Sequence, residues 1–332
     1  MTSEHLDAGV VSSRRCLALL ALVVMFAAGC SSSSRSTAPA TTANNAPSST
    51  TSSPGKQSSS STTPAASRAV CGRSGRAPER YQSVVVFAFE NRTWDDVGLG
   101  FGSGMPYLHG LGQQCSYFTD WTEADTGQNS LSQYVGQVTG APQPGTVDDC
   151  SPSSSCSTQA DNIFRQARVV GKSAVNYVEG ATTPCSASGN ASKHIPALYM
   201  WGADDRSHCS EQVRPLSDFD PNKLPNFAFI TPTLCNDGHD CSDATVDGWA
   251  KAHVQPVLNS TAYKRGKVAV FIWYDEDHPV PNLWITPTAH PGALSTAGAG
   301  YAGTLKAWES MLGLPCLANA CTAPAMRAAA NS

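Results

Sequence analysis

Two runs of the chain leave little freedom in how they fold. Ser83–Glu90 (SVVVFAFE) and Lys267–Tyr274 (KVAVFIWY) are β-branched and aromatic, with polar residues only at their ends. A strand of this kind must be covered on both faces, the situation of a parallel sheet between helices. Shorter runs of similar character stand at Asn226–Pro232 and Asn282–Pro287. Helical spacing marks Ser130–Thr139, Asn162–Val170, Val246–Leu258 and Gly303–Leu312. The alternation predicts an α/β domain with a mostly parallel central sheet flanked by helices. No internal repeat is present.

The strand pattern begins only after residue 80, and the first 69 residues differ in kind. Arg14 and Arg15 precede an apolar run, Cys16–Ala28, that ends at Gly29-Cys30 and four serines. Basic flank, short apolar stretch and small residues predict a signal over 1–29, with an apolar run too short to span a membrane. Ala27-Ala28-Gly29-Cys30 resembles a bacterial lipobox, so Cys30 is the expected lipidation site. Residues 31–69 hold 14 Ser and 7 Thr, with no aromatic residue and no aliphatic larger than Ala. Such a segment buries too little apolar surface to offset its ordering entropy. The expected organisation is a signal (1–29), a lipidated Cys with a disordered tether (30–69) and one domain (70–332). The protein is then expected at the outer face of a bacterial cell membrane, or secreted.

Over the whole chain the formal charge is −4. Setting aside the five basic and two acidic residues of 1–69 leaves 17 basic and 24 acidic side chains, a net of −7. That balance argues against a nucleic-acid partner. An acidic domain that handles an anionic substrate needs a local cation, which points to a metal. Of twelve cysteines, Cys16 and Cys30 fall in the N-terminal segment. The other ten, with no zinc-ribbon spacing, read as disulfides of an oxidising compartment. Cys150/Cys156, Cys235/Cys241 and Cys316/Cys321 are close pairs. Cys71, Cys115, Cys185 and Cys209 remain, and Cys71/Cys115 with Cys185/Cys209 is the simplest completion. Spacing alone leaves the connectivity open.

Both long strands end in acids, Glu90-Asn91 and Asp275-Glu276. Ligands of open α/β sheets bind at the carboxyl ends of strands. Hard oxygen donors gathered there suit a divalent cation. Ser130 opens a helical pattern, where exposed backbone N–H groups favour an anion. On spacing alone, a helix cap is the simpler role for this serine.

The motifs in order carry a resemblance. Glu90-Asn-Arg-Thr-Trp-Asp95, Ser130-Leu-Ser-Gln-Tyr134…Thr139-Gly140, Lys193-His-Ile-Pro196, Asn236-Asp-Gly-His-Asp240, Trp273-Tyr-Asp-Glu-Asp277 and Leu312–Leu317 span about 81–321. Together they resemble the bacterial phosphoesterase family of acid phosphatases and phospholipases C, within the alkaline-phosphatase-like superfamily. The resemblance implies Glu90, Asn91, Asp275 and Glu276 as ligands of a divalent metal, and Ser130 as a nucleophile close to it. It places His194 near the transferred phosphoryl group and makes His239 a functional candidate, with Cys235 and Cys241 stapling its loop. Backbone N–H groups, Gln133 and His194 are the expected stabilisers of the transferring group. His278 and His290 read as surface or loop residues.

Some positions depart from the family pattern. Ser132 and Gln133 replace Pro and Asn, Gln128 stands where relatives carry His, and Gly300-Tyr-Ala302 replaces His-Tyr-Ser. The implied function is a metal-dependent phosphomonoesterase acting on small phosphate esters, with a membrane contact through its lipid. Two other readings are a phospholipase C-like phosphodiesterase and a ligand-binding lipoprotein with a degenerate site.

Overall fold

In the computed structural model, Ser83–Phe89 forms strand β1, buried along its whole length. Ser116–Phe118 (β2), Ala174–Val178 (β3), Val213–Pro215 (β4), Phe227–Thr231 (β5), Val268–Tyr274 (β6), Leu283–Ile285 (β7) and Gly292–Leu294 (β8) join it. Among the described residues they make one eight-stranded sheet, in the order β4-β3-β5-β1-β6-β7-β2-β8. Those residues are 69–99, 104–119, 121–124, 129–187, 191–277, 279–294, 300–324 and 326. The expected signal, Cys30, nearly all of the expected tether, Gln128 and His278 lie outside them.

The sheet is mostly parallel, as expected. β1 runs parallel to β5 and β6, β3 to β5 and β4, and β2 to β8. Only β7 is reversed, antiparallel to both β6 and β2. Chain length explains this: eight residues, 275–282, separate β6 from β7. A parallel return needs a crossover of about a dozen residues or more.

Helices Trp94–Val97 (α1) and Pro106–Gln114 (α2) follow β1, and Ser130–Thr139 (α3) and Ile163–Val169 (α4) follow β2. Cys209–Gln212 (α5) precedes β4. Leu234–Asp237 (α6), Asp243–Asn259 (α7) and Thr261–Lys264 (α8) lie between β5 and β6, and Gly300–Leu312 (α9) follows β8. Successive strand residues point to opposite faces, so each face carries its own aromatic set. On one, Phe87 and Phe89 meet Trp249 of α7, and Phe89 stacks on Tyr274. On the other, Phe227 meets Phe164 of α4 and Trp308 of α9, while Phe229 meets Tyr134 of α3. Each such buried ring stabilises the fold by about 1.5–3 kcal/mol. The unbroken apolar character of β1 follows from this cover on both sides.

Among the described residues five disulfides are formed. Three close short loops, Cys150 to Cys156, Cys235 to Cys241 and Cys316 to Cys321. The connectivity that spacing left open is settled by the fold: Cys71 bonds Cys115, and Cys185 bonds Cys209. Cys71 and Cys115 are both buried, and their bond ties the segment ahead of β1 to the end of α2. Cys185, in the loop after β3, meets Cys209 at the start of α5, and its N–H donates to Val213 O of β4 at 2.9 Å. Cys316 and Cys321 close the turn that follows α9. Among the described residues, no helix is long and apolar enough to cross a membrane. At Gly300 φ is +37° and a Cβ would lie 2.0 Å from Thr122 Oγ1 and 2.4 Å from Thr122 O. The packing of α9 against residue 122 therefore excludes a side chain there.

Outside the candidate site, Glu309 of α9 is buried, and neither of its carboxylate oxygens makes a well-formed hydrogen bond among the described residues. Burial pushes its pKa up to about 8, with the Leu317 backbone amide and Lys306 pulling down and Asp161 adding to the rise. The unfolded chain ionises near 4.5, so between about pH 4.5 and 8 the folded state holds more proton and stability falls with rising pH. Glu309→Gln, which resembles the protonated acid, is expected to raise stability at pH 8 by roughly 2 kcal/mol and to change little near pH 4. Thermal unfolding of the two proteins across this range checks it.

Candidate active site

The register of the central strands assembles the acids. Phe89 of β1 pairs with Tyr274 of β6, so Glu90 and Asp275 leave the sheet side by side at its carboxyl edge, with Glu276 next along the chain. Glu90, Asp275 and Glu276 are all buried, and one oxygen of each lies within 4.8 Å of the others. Asn91 closes the group from a left-handed backbone, φ 45°. With its amide nitrogen turned inward it donates to Glu276 Oε1 at 3.1 Å and Glu90 Oε2 at 3.3 Å. Arg92 holds this bend: it donates to Asn91 O at 2.7 Å, Cys241 O at 2.9 Å and Asp243 Oδ1 at 2.7 Å. The segment thus has two jobs, Glu90 and Asn91 facing the site and Arg92 clamping the turn to the start of α7.

Electrostatically the three acids oppose one another. Burial raises the pKa of Glu90 well above the carboxylate range, and Asp275 and Asp237 raise it further. Burial, then Glu276, does the same to Asp275. Glu276 is raised by burial and then by Asp277. Both Asp275 oxygens, Glu90 Oε1 and Glu276 Oε2 have no hydrogen-bond partner among the described residues. Buried carboxylates are normally paired or bonded. Three buried acids with four orphaned oxygens, one oxygen of each acid within 4.8 Å of the others, form a hard-donor set that fits a divalent cation.

Ser130 is the first residue of α3, with Asn129 as its N-cap. The cap reading is therefore corrected: the Ser130 hydroxyl leaves its own helix and donates to Glu90 Oε2 at 3.1 Å. His194 lies opposite, fully buried, with Nδ1 3.0 Å from Asp237 Oδ2 and Nε2 3.2 Å from Glu90 Oε1. The Nε2 contact is out of line for a hydrogen bond. Burial lowers the His194 pKa, and the bond to Asp237 works against that. Tyr134, one turn along α3 from Ser130, stacks on the His194 ring at 5.1 Å. Thr231 at the end of β5 donates to His194 O at 2.9 Å. The imidazole is thereby oriented by a carboxylate, a ring and a backbone bond.

The structure brings Glu90, Asn91, Asp275, Glu276, Ser130 and His194 together. His239 is adjacent, its ring 6.0 Å from that of His194 and its Nδ1 2.7 Å from Asp240 Oδ1. The bond between Cys235 and Cys241 closes that loop, whose Gly238 (φ +114°) leaves a Cβ only 2.8 Å from Glu90 O. Gln133 is buried beside the site, with Oε1 accepting from Ala124 N at 2.8 Å. His290 lies in a loop, where its carbonyl accepts from Ser116 Oγ at 2.8 Å. Asp237 and Tyr134 are the residues that motif reading passed over. Both stood in quoted segments, but which acid faces His194, and which ring covers it, depends on contacts between distant elements.

A mostly parallel sheet thus carries an acid cluster at its carboxyl edge, with a helix-start serine beside it. A Vibrio parahaemolyticus protein of the alkaline phosphatase superfamily shares the fold, with TM-score 0.52 and 14% identity over 75% of this chain and 71% of that one. The sequence matches the Phosphoesterase family over residues 123–293, and the chain belongs to that family. A phosphatidylinositol-3-phosphatase of Mycobacterium tuberculosis is 27% identical over 147 residues, 43% of this chain and 48% of that protein. An acid phosphatase of Aspergillus fumigatus is 29% identical over 89 residues, 26% of this chain and 20% of that protein. The matched part of this chain thus covers from a fifth to about half of these curated relatives.

Proposed function

We propose that the chain is a metal-dependent phosphoesterase that hydrolyses phosphomonoesters with Ser130 as nucleophile. The observation that carries this reading is the Ser130 hydroxyl 3.1 Å from Glu90, at the edge of three buried acids, four of whose six oxygens lack partners among the described residues. Relatives named acid phosphatase and phosphatidylinositol-3-phosphatase support the monoester class. Glu90, Asn91, Asp275 and Glu276 would hold the cation, which supplies charge neutralisation and lowers the pKa of a nearby hydroxyl. Glu90 Oε2 orients the Ser130 hydroxyl. Ser130 Oγ attacks phosphorus, the ester oxygen leaves with a proton, and water then releases phosphate from the serine. His194, oriented by Asp237, presents Nε2 to the transferring group. His239, a third exposed at the mouth, is placed to protonate the leaving oxygen. The amide nitrogen of Gln133 is the part of that side chain assigned to the phosphoryl oxygens, its carbonyl being held by Ala124.

Residues 70–332 are taken as the catalytic domain. Support comes from its first residues, where Gly72 N donates to Ala289 O at 2.7 Å and Arg73 N to Pro287 O at 2.8 Å. Lipidation at Cys30, anchoring to the outer membrane face or secretion belong to the same proposal, and the five disulfides agree with an oxidising compartment.

A substrate screen tests the function. Aryl phosphomonoesters and phosphoinositides are expected to turn over, diesters and phosphatidylcholine poorly, with activity lost on chelation and restored by a divalent metal. Dominant diester turnover would favour the phospholipase C-like reading. No turnover with any metal would leave a binding protein.

A further inference from the structure

The N-terminal end of α3 already holds an anion from the chain itself. Leu131 N, next to Ser130, donates to Asp149 Oδ1 at 3.1 Å. Lys193, next to His194, donates from Nζ to Asp149 Oδ2 at 2.8 Å. We propose that the Asp149 carboxylate sits in the seat that a substrate phosphoryl group takes beside Ser130, and that Lys193 is the cation that grips each in turn. The proposal rests on the phosphoesterase reading above and adds to it a built-in competitor that sets the affinity for phosphate.

Position supports the exchange. Lys193 lies within electrostatic reach of Glu90 and Asp275, and Asp149 within reach of Glu276, so the pair borders the acid cluster. The same cluster presents His194 Nε2 and Glu90 Oε1, fully buried and without hydrogen-bond partners among the described residues. The site next to the carboxylate is therefore built for something further. The backbone carrying Asp149 is tied on both sides. Asn129 Nδ2 donates to Val147 O at 2.8 Å, and Cys150, bonded to Cys156, accepts at its carbonyl from Tyr199 Oη at 2.6 Å. Asp149 itself is a third exposed. Its side chain can leave by rotation about its own bonds while the backbone stays in place.

The chemistry explains what such an arrangement does. A carboxylate and a phosphoryl group both offer two oxygens to an N–H and an ammonium. An acid beside three others is costly unless it satisfies donors, and Asp149 satisfies two. An arriving phosphate ester must displace it, and then faces its negative charge nearby. The displacement cost falls on every phosphate ester alike, so Asp149 lowers affinity in general, while any preference for a dianionic monoester over a monoanionic diester comes from Lys193 and Leu131 N.

Calorimetric titration of inorganic phosphate into the metal-supplemented full chain tests this, beside kinetics on an aryl monoester and its diester. Asp149→Ala is expected to tighten phosphate and lower KM by about tenfold for monoester and diester alike, with kcat within a few-fold. Lys193→Met is expected to weaken phosphate by about tenfold and to cancel the gain in the double variant. Asp149→Asn, which keeps the shape and the Leu131 bond, is expected to tighten phosphate a few-fold and serves if the alanine variant misfolds. Unchanged or weaker phosphate binding in the folded Asp149 variants overturns the proposal, as does a gain that survives loss of Lys193. If the wild type shows no Ser130-dependent hydrolysis, the functional reading falls, while the phosphate titration still decides the seat.

Discussion

Ser130→Ala is expected to leave a folded protein with all five disulfides and to lower phosphomonoester turnover by at least about a thousandfold. The structure separates the two roles that sequence spacing left together. Asn129, not Ser130, is the N-cap of α3. The substitution therefore removes one hydrogen bond, to Glu90, and leaves the helix start intact. Alanine is also a strong helix former, so α3 loses nothing intrinsic. An unchanged melting temperature with abolished turnover is the expected pair of results. Retained turnover in the folded variant would remove Ser130 from the chemistry, and with it the phosphoserine step.

The second large effect is expected at Asp275, with opposite signs in two measurements. Asp275 is buried between Glu90 and Glu276, and neither of its oxygens has a hydrogen-bond partner among the described residues. In metal-free protein it works against folding, because a buried acid near two others loses hydration and gains repulsion. Asp275→Asn removes a negative charge at nearly constant volume. It is expected to stabilise the metal-free protein by roughly 1–2 kcal/mol, a rise of a few degrees in melting temperature. In the proposed site the same change deletes a cation ligand. Added divalent metal is expected to raise the melting temperature of the wild type by binding the folded state, and this increment is expected to vanish in the variant. Turnover falls by at least about a hundredfold. A variant that is destabilised without metal, yet still gains stability from it, would show that the acid cluster is not the cation site.

How much was legible from the residues depended on how local each determinant is. β1, β6 and α3 were legible because their patterns are complete within a few residues, and α3 begins and ends where its sequence pattern does. β3 was not, because it carries Asn176 at its centre. That side chain is buried and acceptable only because Nδ2 donates to Phe229 O at 3.2 Å and Thr231 Oγ1 at 3.0 Å across the sheet. β2, β4 and β8 are three residues each, too short to show any period. α2 contains two glycines, and Gly112 is there because a Cβ would lie 2.1 Å from Leu99 Cδ2. Disulfides divide in the same way. Cys316 and Cys321 stand five residues apart, whereas Cys71 and Cys115 are 44 apart and Cys185 and Cys209 are 24 apart. The distant pairs meet only through the packing of the elements that carry them. The acids of the cluster were legible because they follow directly on legible strands. Asp237, Tyr134 and Asp149 were not, since each acts on a residue far away in the chain.

The sequence by itself determined the class of fold, the short-range cysteine pairs, and the residue types at the carboxyl edge. Apolar periodicity and strand-end acids are local properties, and burial on two faces follows from composition alone. Only the tertiary structure decided what these residues do to one another. The register of Phe89 with Tyr274 sets Glu90 beside Asp275, α3 turns Ser130 toward Glu90, and α6 delivers Asp237 to His194. Whether an acid is a solvated strand end or a cation ligand depends on the loss of water and the approach of like charge. Both come from packing between segments that the chain order keeps apart.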